Sequence, residues 1–340
     1  MGIDRCGLIY FFVSNMNNKE VFIVMPVYNW EKYIFEQLYS IYQQTFENRN
    51  LTIVNDWSKD NTLEIIEKFI KTFDLKDKVS VYTKENWWVN SAISYWLNKI
   101  KEFLWNKYDN KYIALSDADD IWMKNKLEEQ LEFIDMNNCD FCYHDLIEID
   151  KNNSLLNVSH LRHKHTILNN IYDESFLEFC TWQHITSTTM FYKSYIIDDI
   201  YQMPSIWAQD HWIVINISLR NRIIKYMDKK LWFYRVHSLW ISHNQKSRQQ
   251  LLSESLEFFN FISKDYKDKR LDKLIDLYSK WIEWEKKWYN SIKIWFLLLK
   301  NRPYFCFFLL MKPFKFIYHK IINYLIPKFM GYRKKQLKKS

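Results

Sequence analysis

The sequence predicts an α/β fold, with a mostly parallel central sheet flanked by helices and a helical C-terminal extension. Three observations predict it. Short apolar runs alternate with stretches of helical periodicity through the first third of the chain. Each apolar run closes on a polar residue, as strands do when they deliver loops to one edge of a sheet. Beyond Leu251 the pattern is almost wholly helical.

The elements follow in order. Residues 21–27 (VFIVMPV) form a buried strand, and residues 31–44 a helix with Ile34, Leu38 and Ile41 on one face. Residues 51–54 are a second strand, ending in the polar Asn55-Asp56-Trp57-Ser58. Asp60 or Asn61 caps the next helix, whose inner face carries Leu63, Ile66 and Ile70. Residues 79–82 are a third strand, 89–103 a third helix and 111–116 a fourth strand. Residues 141–149 and 186–192 read as strands, 207–220 as a helix and 223–234 as extended chain. Asn29, Asp56, Asn86 and Asp117 each follow a strand end, so the four gather at one edge of the sheet.

Composition narrows the function classes. The chain has 340 residues, room for one large domain and an appendage. Residues 1–20 read as an N-terminal extension, 21–245 as the main domain and 246–340 as a helical, basic C-terminal region. Lys and Arg number 48 against 40 Asp and Glu, a formal charge of +8. The positive residues collect in the tail, in KPFKFIYHK and YRKKQLKKS, and form no stripe with base-stacking aromatics, so no nucleic-acid partner is expected. Five scattered cysteines fit a reducing, cytoplasmic compartment. Cys139 and Cys142 have C-x-x-C spacing but lack a second pair, so neither zinc nor redox chemistry is expected of them. The apolar runs near Trp295 and Tyr304 are broken by Lys300, Arg302 and Pro303, short of the roughly 20 residues of a spanning helix. Two readings of the tail stay open: a peripheral anchor at the cytoplasmic face of an anionic membrane, or a helical subdomain packed on the main domain.

Asp117-Ala118-Asp119-Asp120 places three carboxylates in four positions. Their mutual repulsion calls for a counterion, and a hard divalent cation, Mg²⁺ or Mn²⁺, prefers oxygen ligands. Asp117 and Asp119 are the metal candidates, with a bound diphosphate completing the coordination. The bland alternative is a solvated helix start followed by Lys124 and Lys126. Position after a fourth strand favours the metal.

PVYNWEKYI, IVNDWSKDNT, KENWWVNSAISYWLNK and LSDADDIWMKNKLEEQ fall in that order over residues 26–130. Together they resemble the family 2 glycosyltransferases of the GT-A (Rossmann-like) fold, most closely the rhamnosyltransferase-like members that build cell-surface polysaccharides. The resemblance covers about residues 20–245. It implies an inverting enzyme that moves a sugar from a UDP- or dTDP-sugar to a saccharide or lipid-linked acceptor. Pro26, Tyr28, Asn29 and Glu31 match the motif that begins the nucleotide pocket. Asp56 matches the aspartate that bonds the base, and Asn86 lies in the third motif on the donor side. Asp117 and Asp119 match the D-x-D that meets ribose and metal-diphosphate. Asp210, in AQDHW, matches the general base, its alternative being a helix N-cap. Arg235 and His237, in YRVH, would meet the diphosphate. A sugar nucleotidyltransferase would want a Gly-rich basic loop after the first strand, which PVYNWEKYI lacks. A non-catalytic binding protein would not need Asp56, Asp117, Asp119 and Asp210 all retained.

One departure is systematic. The chain has 3 glycines and 16 tryptophans, where average usage would give about 7% glycine. Trp57, Trp87, Trp88, Trp96, Trp30, Trp240 and Trp232 stand where the family pattern has glycine, whereas Trp122 and Trp212 match family tryptophans. A UGA codon read as tryptophan in a cell that reads it as glycine produces this pattern. Mass spectrometry of the protein made by its own cell is expected to find glycine at positions 57, 87 and 88; tryptophan masses there sink the idea.

Overall fold

The computed structural model describes residues 18–83, 89–105, 107–159, 185–200, 209–237, 248–264 and 266–288. They fall into two compact units, residues 18–159 with 185–237, and residues 248–288. The first unit opens with β1 (Glu20–Val27), α1 (Ile34–Tyr42), β2 (Arg49–Asn55), α2 (Thr62–Thr72) and β3 (Val79–Thr83). It continues with α3 (Val89–Leu104), β4 (Lys111–Leu115), β5 (Ile121–Trp122), α4 (Lys126–Asn137), β6 (Phe141–Asp150) and β7 (Leu155–Asn157). It closes with β8 (Phe191–Lys193), the short α5 (Ile197–Ile200), α6 (Gln209–Leu219) and β9 (Ile224–Val236). The second unit is α7 (Arg248–Ser263) and α8 (Lys269–Trp288), joined by an edge-on contact of Phe259 with Tyr278 at 5.1 Å.

The alternating first half of the chain folds as its periodicity requires. One expected strand differs. Residues 186–192 split into a tight 3₁₀ turn, Ser187–Thr189, and the short β8. The amide and hydroxyl of Thr189 both turn back to the carbonyl of Thr186, at 3.0 and 2.8 Å, and so withdraw the segment from the ladder. At the start of α2 Asn61 is the capping residue, but Asp60 does the bonding: its Oδ1 accepts the Thr62 amide at 3.1 Å. Phe69, not Leu63, is buried on that helix with Ile66.

The sheet runs β3-β2-β1-β4-β8-β6-β9-β5, with β7 beside β6. The pairs β3-β2, β2-β1 and β1-β4 are parallel, and so is β6-β9; β8 and β5 enter antiparallel. The chain builds outward from β1 to β3, then returns to place β4 on the other side of β1. Loops after β1 and β4 therefore diverge, and the crevice between them is where α/β sheets take ligands. The core packs Ile23, Met25, Ile53 and Ala114 of the sheet against Ile34 and Leu38 of α1, Ile66 and Phe69 of α2, and Leu131 and Ile134 of α4. Full burial of one such large aliphatic side chain contributes about 1.5–3 kcal/mol.

Helix ends are set by polar side chains. Arg49 donates from Nε to the Ile41 carbonyl at 3.0 Å and also reaches the Tyr42 and Phe46 carbonyls, which closes α1. Asn138 closes α4 in a left-handed conformation. Among the described residues, eight non-glycine positions have positive φ, and six are Asn or Asp, which tolerate it. The other two are Trp57 at φ 65° and Trp105 at φ 41°. Trp105 follows the last residue of α3, the place where a glycine normally ends a helix, and it is 80% exposed.

A buried lysine lies in the core. Lys126 is fully buried, donates to Gln130 Oε1 at 2.8 Å and lies 4.2 Å over the Trp122 ring. Burial pushes its pKa down to about 7 from the ordinary 10.5.

Two measurements check these features. Trp105→Gly relieves left-handed strain with almost no loss of burial and is expected to raise unfolding free energy by about 1 kcal/mol in urea titration. For Lys126, the unfolded chain binds the extra proton between pH 7 and 10.5, so stability rises with pH across that window. Lys126→Met is therefore expected to stabilise most near pH 7 and progressively less towards pH 10; a gain flat in pH contradicts a neutral buried amine.

Candidate active site

The loops after β1 and β2 are laced together. Asn29, at φ 59°, donates its amide to Ser58 Oγ at 3.1 Å, and its Oδ1 accepts the Lys59 amide at 2.7 Å. The Trp30 amide bonds Thr62 Oγ1 at 2.8 Å, and the Glu31 amide bonds Asp60 Oδ2 at 3.0 Å. Glu31 answers with Oε2, which accepts from the Asn61 amide at 3.0 Å and side chain at 2.8 Å. Asn29 and Glu31 thus build the wall of the crevice. Pro26 lies on β1 opposite Val54, and the half-exposed Tyr28 follows that strand's end. Asp56 is buried, its amide on the Val27 carbonyl at 2.9 Å. Trp57 projects into solvent under Lys59, whose ammonium lies 4.4 Å above the ring. Asn86, Trp87, Trp88 and Trp240 lie outside the described residues.

The acidic turn begins where β4 ends. Ser116 still pairs with β1, its amide on the Val24 carbonyl at 2.9 Å, and Asp117 to Asp120 then cross the crevice mouth. Helix α1 supports the turn from below. The Gln37 amide, buried in the apolar face of α1, gives its nitrogen to the Asp120 carbonyl at 2.8 Å and accepts from Ser116 Oγ at 2.7 Å and Trp122 Nε1 at 3.2 Å. Ser40 Oγ accepts the Trp122 amide at 3.0 Å.

Strand β9 holds the turn from the side. The Arg235 amide donates to Asp120 Oδ1 at 2.8 Å, and its Nε to the Asp119 carbonyl at 2.7 Å. His237 Nε2 contacts Asp119 Oδ2 at 2.9 Å. The imidazole stacks on Tyr33 at 5.3 Å and meets Trp30 edge-on at 5.4 Å.

The carboxylates gather around Tyr234. Burial pushes its hydroxyl well above the ordinary range, reinforced by the charges of Asp120, Asp117, Asp119 and Asp210. Asp117 is held well above the usual carboxylate range by burial and by the charges of Asp119 and Asp210. Asp120 is raised likewise, by burial and its two aspartate neighbours, and its Oδ2 has no hydrogen-bond partner among the described residues. Asp210 comes to this group from the first turn of α6, with Gln209 Nε2 bonded to Ser187 Oγ at 2.7 Å and Trp212 Nε1 to the Ile200 carbonyl at 3.0 Å. The fold therefore brings the charge of Asp210 to bear on Asp117, more than ninety residues earlier in the sequence.

Repelling, buried oxygen donors suit a hard divalent cation. Among the described residues no three His, Cys, Asp or Glu side chains close a cage around an ion by themselves. Mg²⁺ is commonly held by one or two carboxylates with substrate phosphates supplying the rest, and the donor set fits that arrangement. Cys139 and Cys142 are buried free thiols.

Several contributors were not singled out from the sequence: Tyr33, Gln37 and Ser40 beneath the turn, Glu36 beside Arg235, and Asn153 in the β6–β7 turn. Gln37 left a signal, a polar residue within the apolar stripe of Ile34, Leu38 and Ile41. Trp232, expected at a glycine-like position, is fully buried, and its Nε1 has no hydrogen-bond partner among the described residues.

The sheet carries an acidic turn at its strand ends, where α/β folds take ligands, and comparison with known proteins places the chain in a family. The profile of Glycosyl transferase family 2 matches residues 22–201, and the chain belongs to that family. The chain is 27% identical over 214 residues to the dTDP-rhamnosyl transferase RfbG of Shigella flexneri, covering 63% of this chain and 71% of that one. It is 33% identical over 142 residues to the UDP-Glc:alpha-D-GlcNAc-diphosphoundecaprenol beta-1,3-glucosyltransferase WfgD of Escherichia coli, covering 42% and 51%. The mannosyltransferase PcManGT of Pyrobaculum calidifontis, solved with GDP-Man and Mn²⁺, shares the fold with a TM-score of 0.55 at 14% identity, over 96% of this chain and 93% of that one. The chain spans between 17% and 51% of the length of the first curated relatives it matches.

The laced loops make a double-mutant test. Glu31→Ala is expected to cost about 1 kcal/mol of stability. Adding Asn61→Ala should cost little more, because Glu31→Ala has already removed the acceptor of the Asn61 side-chain bond. Additive losses in denaturant titration contradict the reciprocal pairing.

Proposed function

We propose that the chain is an inverting glycosyltransferase that moves a hexosyl or rhamnosyl group from a UDP- or dTDP-sugar to a saccharide or lipid-linked acceptor in cell-surface polysaccharide synthesis. What supports this reading is the acidic turn Asp117–Asp120 after β4, beside β1, with the charge of Asp210 reaching Asp117 from α6. Pro26, Tyr28, Asn29, Glu31 and Asp56 bound the pocket for the nucleoside, and Asn86, outside the described residues, is assigned to donor binding by its sequence motif alone. Asp117 and Asp119 would hold Mg²⁺ or Mn²⁺, and His237, just past β9, would face the diphosphate. Bound there, the cation stabilises negative charge on the departing nucleoside diphosphate. Asp210 accepts the proton of the acceptor hydroxyl as its oxygen attacks the anomeric carbon from the face opposite the diphosphate. WfgD is named for a lipid-linked acceptor and RfbG for a dTDP-sugar donor, which supports both parts of the substrate class.

Among the described residues no helix is long and apolar enough to cross a membrane. Residues 289–340 lie outside the described residues. We read region 246–340 as a separate appendage whose basic, aromatic tail makes peripheral contact with the membrane that carries such an acceptor. We also read position 57 as glycine in the cell's own product. The left-handed backbone of Trp57, in the loop that borders the nucleoside pocket, supports this.

Release of nucleoside diphosphate from a panel of nucleotide sugars tests the assignment. Asp210→Asn is expected to lower kcat by about 100-fold or more, with donor KM little changed. Asp119→Ala should abolish cation-dependent turnover. Unchanged activity in both variants refutes the roles of Asp119 and Asp210.

A further inference from the structure

We infer that Arg235 is a positioning residue that fixes the acidic turn, and not a ligand of the donor diphosphate; the inference rests on the proposed donor site but not on the identity of the sugar. The side chain is 1% exposed. Each of its three guanidinium nitrogens already has a protein acceptor. Nε donates to the Asp119 carbonyl at 2.7 Å, Nη2 to Glu36 Oε2 at 2.6 Å, and Nη1 to Asn153 Oδ1. The guanidinium plane lies 4.6 Å over the Tyr33 ring, and the residue's own amide holds Asp120.

These contacts join four segments far apart in sequence: the loop and first turn of α1, the acidic turn, the β6–β7 turn, and β9. The β6–β7 turn is itself preformed. Asp150 Oδ1 accepts the amides of Asn152 and Ser154 at 2.8 Å each, and Asn153 between them sits at φ 68° with its side chain on Arg235. A planar fork carries its donors on three separate nitrogens in fixed directions, whereas the three donors of a lysine radiate from one nitrogen. Glu36 offsets the guanidinium charge, so little is left to attract a diphosphate. Arg235 holds the Asp119 backbone while His237, just past the end of β9, contacts its carboxylate. The two contacts together set the direction in which Asp119 points.

The experiment compares wild type with Arg235→Lys, Glu36→Ala and Asn153→Ala. Amide hydrogen exchange is read in peptides covering residues 117–123 and 150–154, and binding of UDP in MnCl₂ is read by calorimetry. Arg235→Lys is expected to speed exchange in both segments at least tenfold. Glu36→Ala and Asn153→Ala should each speed it several-fold and weaken UDP in step. Glu36→Ala added to Arg235→Lys should change little further, because the two share one network. Weakened UDP binding with wild-type exchange in Arg235→Lys overturns the inference and makes Arg235 a direct ligand; wild-type exchange with wild-type binding overturns it too. If Arg235→Lys does not fold, Glu36→Ala carries the same test from a half-exposed position. A wild-type protein that binds no UDP argues against the proposed function, while the exchange arm still decides the role of Arg235.

Discussion

Everything at the mouth of the crevice depends on one electrostatic problem: aspartates from β4's end and from α6 share a small, partly dehydrated space. Like charges at such range raise one another's pKa, and burial raises them further, as Asp117 and Asp120 both record. A chain that keeps such a group must hold it by other bonds. The Arg235 amide takes Asp120, the guanidinium takes the Asp119 carbonyl, His237 takes the Asp119 carboxylate, and Gln37 takes the Asp120 carbonyl. The repulsion is retained and the geometry is fixed, which is the condition for receiving a cation and a diphosphate without rebuilding the site.

The topology explains why these groups meet. Placing β4 beside β1, on the side away from β2, opens the sheet edge between two diverging loops. One wall is the pair of loops after β1 and β2, tied by Asn29, Glu31 and Asp60. The other is the acidic turn, gripped by β9 through the β5-β9 pairing. The antiparallel and parallel additions beyond β4 bring α6, and with it Asp210, to the same edge.

The parallel half of the fold was legible because its strands are short apolar runs and its helices keep a 3.6-residue stripe. Asp117, Asp119 and Asp56 were legible because they follow strand ends in ordered motifs. The turn at Ser187–Thr189 was not, because hydroxyl bonding to the local backbone leaves no mark in an apolar pattern. Glu36 and Asn153 were not either, since their importance comes from Arg235, more than eighty residues away from either. Arg235 itself was visible as a motif residue, but sequence alone does not say whether a guanidinium faces a ligand or the protein. The tryptophan excess was plain in composition, and the backbone adds a physical reason at Trp57 and Trp105, where a Cβ is sterically disfavoured.

We propose that the acidic turn after β4 is where a nucleoside diphosphate and a divalent cation meet. Crystals grown with UDP and MnCl₂, measured at the manganese absorption edge, test it most directly. One anomalous peak is expected between the Asp119 carboxylate and the diphosphate, with the base in the pocket beside Asp56. UDP bound without manganese at Asp119, or a crevice that excludes UDP, would contradict it.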